Sequence, residues 1–274
     1  MEVDLPFAVL LTTLAGLSTG IGSVIALFIR TPKYSYLAVV LGLSAGVMIY
    51  ISFTELFRTA IEEVGFATAN IAFFAGIGFI ALIDIFVPHE YEEEHAANAP
   101  QNITEVKQQE TSGFPPQLAI LAKSSLMRSG VLIALGIAIH NFPEGLVTFC
   151  SAATGDVAFG IIIAVAIAIH NIPEGIAVSV PIFYATGSRC RAFTYSFLSG
   201  VAEPVGALIG YGILFSFLTP ALLSSMLAFV AGIMVFISLD EILPLAHRYG
   251  KEHLVIVGIA TGMLVMALSL FLLR

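Results

Sequence analysis

The 274 residues are 58% hydrophobic and 11% charged, with a mean hydropathy of +0.98. A soluble domain carries about 25% charged residues, so the composition excludes an ordinary soluble enzyme or binding module. The formal net charge of -8 sits largely in one connection and inside the apolar runs, which excludes a nucleic-acid partner held by a basic surface.

In chain order, apolar runs near the length of about 20 residues that a bilayer requires fall at 5–29, 35–60, 64–88, 127–152, 156–184, 192–218, 220–243 and 253–273. Lipid offers no partner to an open backbone amide, so each run is predicted to be a transmembrane helix. The expectation is an all-α integral membrane protein in contact with lipid, a single transmembrane domain over 1–274 with eight helices. The first run follows acidic Glu2 and Asp4 and is long enough to span, which argues against a cleaved signal peptide. The one long connection, 89–126, carries "HEYEEEH" from His89 to His95 and reads as a flexible cytoplasmic loop. Cys150 and Cys190 are too few for a disulfide framework and read as small core residues.

Orientation follows from the cations. With both termini outside the cytoplasm, nine of the 11 Lys and Arg residues fall on the inside and only Arg58 and Arg274 remain outside.

The chain also repeats itself. "AGVMIYISFTEL" (Ala45 to Leu56) resembles "AGIMVFISLDEI" (Ala231 to Ile242), and "HNFPEG" (His140 to Gly145) resembles "HNIPEG" (His170 to Gly175). In both cases the copies lie in spans of opposite sense. That is the mark of an inverted-topology repeat, here three helices, a central pair and three helices, with a ligand site expected near the midplane.

The paired motifs carry the chemistry. Residues four apart share a helix face, so His140 accompanies Glu144 and His170 accompanies Glu174. Pro143 and Pro173 each remove an amide, free a carbonyl at Ile139 or Ile169, and are expected to kink the helix. Glu203, in "GVAEPVG", is a third acid at mid-span. Each such acid costs roughly 2.5–3.5 kcal/mol to insert, and the span centres hold no Lys or Arg. A divalent cation is the neutraliser this set suits. Nitrogen and oxygen donors without thiolate fit Zn(II), Fe(II), Mn(II), Co(II) or Cd(II), and two histidines argue against Mg or Ca. The bland reading, packing and hydrogen bonding, falls to about one in ten for the paired His and Glu because the motif occurs twice. For Asn141 and Asn171, ligation and a supporting role stand nearly level.

Glu55 toward the outer end of the second span, with Asp84, Asp240 and Glu241 toward the inner end of the third and seventh, are candidate gate or pathway residues; ordinary helix-end carboxylates carry equal weight. His89 and His95 are candidate loop metal contacts, against the commoner solvated charge run. A metallohydrolase would need a His-Glu-x-x-His helix, which the motifs do not match. A channel or a membrane metal sensor could use the same ligands without a carrier cycle.

On these motifs, with "SGVAEPVGA" in the sixth span and "ISFTEL" in the second, the chain resembles the ZIP (Zrt/Irt-like) family of divalent-metal transporters, in its ZupT-like prokaryotic branch. The resemblance covers essentially the whole chain. It implies import of zinc and related metals into the cytosol, no enzymatic activity, no resident cofactor, a homodimer and a prokaryotic plasma membrane location. It further implies that helices 1, 4, 5 and 6 move as a unit against the other four. Position by position it implies one metal site at His140, Glu144, His170 and Glu174, and an adjacent one at Asn141, Glu144, Asn171, Glu174 and Glu203. His170-Asn171 stands where some members have Gln-Asp, which adds an imidazole to the first site and removes a charge from the second.

Overall fold

A computed structural model of the chain describes residues 5–28, 34–86, 116–153, 157–214, 219–249 and 251–273. Among them nothing but helix and short connections occurs. The helices are α1 (Leu5–Phe28), α2 (Tyr34–Ile51), α3 (Arg58–Phe86), α4 (Pro116–Ala153), α5 (Val157–Thr186), α6 (Arg189–Leu214), α7 (Pro220–Ile237), α8 (Leu243–Tyr249) and α9 (Glu252–Leu273). Two wider π turns, Ser52–Phe57 and Ser238–Ile242, join α2 to α3 and α7 to α8.

Among the described residues seven segments are long and apolar enough to cross a membrane, and one of them, Ser35–Ile85, has 51 residues. Laid straight at about 1.5 Å per residue it would measure roughly 75 Å, more than twice a bilayer core. It is not straight. Gly65 has φ 79° and ψ 160°, a conformation essentially restricted to glycine, and the rings of Phe57 and Phe73, eight residues to either side, lie 4.8 Å apart. The chain doubles back at a single residue, the second of the run expected at 64–88, which separates it from the run expected at 35–60.

Local chemistry sets the other ends. Thr219 caps α7 by accepting the Leu222 N–H at 3.1 Å, with Pro220 in the first turn. Gly187, at φ 66°, closes α5 by donating to Phe183 O at 2.8 Å. Residues 116–126, expected as the end of the loop, are helical. Pro116 is pre-organised for a first helical position and "QLAILAKSSLM" is good helix former, so the helix starts earlier than the apolar run does. Residues 87–115, with the candidate contacts His89 and His95, lie outside the described residues.

The contacts repeat with the sequence. Gly46 packs on Ile259 O and Gly262 on Leu43 O; shifted by the offset that carries Gly46 onto Gly232, these become Gly232 on Phe73 O and Gly76 on Phe229 O, and both shifted contacts are present. Ser52 donates to Met48 O at 2.7 Å, and its counterpart Ser238 donates to Met234 O at 2.8 Å. In the other four helices, Gly175 on Thr19 O and Gly22 on Ile172 O are matched by Gly145 on Glu203 O and Gly206 on Phe142 O.

Two bodies result. In each, glycines admit a neighbouring backbone so closely that a Cβ would stand within about 2.6 Å of a carbonyl oxygen: α1, α4, α5 and α6 form one, and α2, α3, α7 and α9 the other. Such close approach between helices is how packing is gained where lipid removes the hydrophobic driving force. Between the bodies the fit is smoother. There Gly136 of α4 meets only the tip of the Ile237 side chain, at 3.0 Å.

Candidate metal centre

All seven residues expected from the motifs are buried: His140, Asn141, His170, Asn171, Glu174 and Glu203 are fully enclosed and Glu144 is 3% exposed. α4 and α5 supply six of them and α6 supplies Glu203. The helices run unbroken through Pro143, Pro173 and Pro204, so no proline ends its helix.

The four principal residues pair crosswise. His140 Nε2 lies 3.0 Å from Glu174 Oε1, and His170 Nε2 lies 2.8 Å from Glu144 Oε1. As the position advances by four on α4 it retreats by four on α5, so the two helices are antiparallel at the site. The sequence places each His with the Glu on its own helix; the structure places it against the Glu of the other copy.

Both pairs are used up on one side only: Glu144 Oε2, His140 Nδ1 and Glu174 Oε2 lack a hydrogen-bond partner among the described residues. A buried polar atom without a partner costs about 1–3 kcal/mol, more when charged, and this many together mark a site built for something other than packing.

The asparagines are placed by the same repeat. Asn141 Nδ2 donates to Ser199 O at 3.1 Å, and Asn171 Nδ2 donates to Ala15 O at 3.0 Å and to Glu203 Oε2 at 2.8 Å. Each amide nitrogen thus ties a central helix to α6 or α1. Both Oδ1 atoms, and Glu203 Oε1, remain without partners, so tying helices and presenting an oxygen ligand are compatible in one side chain.

Among the described residues, the three acidic or imidazole ligands whose donor atoms all lie within 4.8 Å of one another are Asp84, Asp240 and Glu241, away from the paired motifs. Asp84 and Glu241 also line a cavity of about 30 Å³ with Leu132, Gly136, Ile139 and Ile237, room for one or two waters. That cavity touches α4 one residue short of His140. Glu55, the repeat counterpart of Glu241, lies on the first π turn with Arg58 Nη2 at 4.0 Å.

Sequence reading missed the serines. Ser18 donates to Ala168 O at 2.9 Å, Ser196 to Gly175 O at 3.1 Å and Ser44 to Pro173 O at 2.6 Å. A hydroxyl in an apolar run shows that something is bonded but not what.

Residues 87–270 match the model of the family described as ZIP zinc transporter. This chain belongs to the ZIP family. As a ZIP chain it is a transporter and not an enzyme. It is 53% identical to "Zinc transporter ZupT" of Clostridium perfringens over 97% of this chain and 95% of that one. It is equally, 53%, identical to the protein of that name from Nitratidesulfovibrio vulgaris, over 96% and 95%. To the one from Lysinibacillus sphaericus it is 48% identical over the whole length of both. With the long apolar helices, membership makes this a multi-pass membrane protein.

Proposed function

We propose that the protein imports Zn(II) by alternating access through the site of His140, Glu144, His170 and Glu174. Fe(II), Mn(II), Co(II) and Cd(II) are the competing substrates, and Asn141, Asn171 and Glu203 supply neighbouring oxygen atoms. The observation that carries this reading is the crossed pair of buried His–Glu contacts with unpartnered ligand atoms, in span centres that hold no Lys or Arg. A divalent ion neutralises the carboxylates without a resident cation, and intermediate donors suit zinc.

In this reading the hairpin at Gly65 makes eight crossings, arranged as three helices, an antiparallel pair and three helices, with both termini outside. The plasma membrane of a prokaryote and a homodimer complete it. The ion arrives past Glu55, exchanges waters for the His/Glu cluster, and leaves past Asp84, Asp240 and Glu241, whose convergence beside the cavity supports an exit there. The body of α1, α4, α5 and α6 moves along the smoother face of the other. The match at roughly half identity to full-length proteins named as zinc transporters supports zinc as the substrate.

The test is zinc uptake into proteoliposomes by the intact protein, Glu144→Ala and Glu174→Ala. Saturable uptake by the intact protein that both substitutions abolish is expected. Motif-dependent zinc binding with no flux would replace the carrier by a sensor, and flux that does not saturate would replace it by a channel.

A further inference from the structure

The two bodies touch at a polar point that the repeat does not reproduce. Ser44, fully buried on α2, donates its hydroxyl to Pro173 O of α5 at 2.6 Å. Ser44 immediately precedes the repeated "AGVMIYIS", and the residue immediately before "AGIMVFIS" is Val230, 1% exposed. The partner of Pro173 in the repeat is Pro143. The mirrored contact would therefore run from residue 230 to Pro143 O, and valine has no hydrogen to give.

This asymmetry has an energetic consequence. In a carrier built of two inverted copies, the inward-open and outward-open states are interconverted by exchanging the conformations of the copies. Contacts reproduced in both copies, such as the glycine packings, weigh on the two states alike. A contact made by one copy alone favours one state. The carbonyl of Pro173 already accepts the N–H four residues on in an α-helix, so the Ser44 hydroxyl is an addition the helix does not need.

We propose that the Ser44–Pro173 hydrogen bond is a one-sided latch: it biases the protein toward the conformation shown, and Val230 marks the place where the opposing latch is missing. The inference rests on the alternating-access reading. Ser44 touches no proposed ligand atom and acts as a positioning residue, through the helix that carries His170 and Glu174.

A reporter of the opposite state is supplied by the same symmetry. Asp84, half-buried, lines the cavity beside Glu241; its counterpart on α9, Leu270, is 8% exposed, closed here and opened when the two copies exchange. With Leu270→Cys in a background of Cys150→Ala and Cys190→Ser, the rate of reaction with a small thiol reagent in detergent reads the population of the other state. Ser44→Ala is expected to raise that rate by about two- to tenfold, the weight of one net hydrogen bond. Val230→Ser, which supplies the missing donor, is expected to raise it in the same direction, and Ser44→Thr, which keeps the hydroxyl, to leave it near the starting value. Equal rates in Ser44→Ala and the parent, with folding verified by thermal unfolding and gel filtration, overturn the latch. Zinc uptake by the parent and by Glu144→Ala separates the two claims: uptake that survives Glu144→Ala overturns the proposed site whatever the thiol reports, and unchanged thiol rates overturn the latch whatever the uptake shows.

Discussion

Gly145→Ala tests whether the glycine packing sets the geometry of the metal centre. A Cβ at Gly145 would stand 1.9 Å from Glu203 O, where ordinary contact begins near 3.4 Å. Backbone rather than a flexible side-chain end stands in the way, so α4 and α6 must part by about 1.5 Å at the level of Glu144 and Glu203. Overpacking of this kind costs about 1–3 kcal/mol, and misplacing a ligand set by about 1 Å costs on the order of 10²-fold in rate. Expected, then, is a lower unfolding temperature in detergent together with zinc uptake reduced by about two orders of magnitude. Gly78→Ala is the control: nothing lies within 4 Å of its Cβ position, and alanine favours a helix interior by up to about 1 kcal/mol. A Gly145→Ala protein with parental stability and uptake would refute the argument that this crossing positions the site.

Gly65→Ala should lower stability by about 1–3 kcal/mol from backbone strain alone, since its Cβ position has nothing within 4 Å; denaturant or thermal unfolding checks it, and an unchanged midpoint would mean the hairpin tolerates another turn. Zinc binding by imidazoles and carboxylates requires their deprotonated forms, so affinity should fall as pH falls from about 7.5 to about 5.5 and recover on return; equilibrium binding at fixed zinc reads the sign directly. Asp84→Asn and Glu241→Gln should lower the maximal uptake rate while leaving equilibrium zinc affinity at the paired motifs within about twofold, because they lie outside that cluster; a loss of affinity equal to the loss of rate would place them in the binding site instead.

The sequence by itself determined the class of protein, most helix positions, the repeat and which mid-span polar residues come together in it. Each of these is local or periodic: twenty apolar residues must form a helix in lipid, and six-residue motifs written twice are visible without coordinates. What needed the tertiary structure were relations between helices. Which imidazole meets which carboxylate depends on the antiparallel packing of α4 and α5, and it joins His140 to Glu174 rather than to Glu144. The double role of Asn171 depends on where α1 and α6 pass it. That Asp84 approaches Asp240 and Glu241 depends on α3 folding back at Gly65, a turn that composition shows only as a glycine in an apolar stretch. Ser44 is the sharpest case. Its mismatch with Val230 stands in the sequence, but a side chain 129 positions from its acceptor acquires meaning only when the helices are packed, because a hydrogen bond depends on distance in space and a one-dimensional pattern records only distance along the chain.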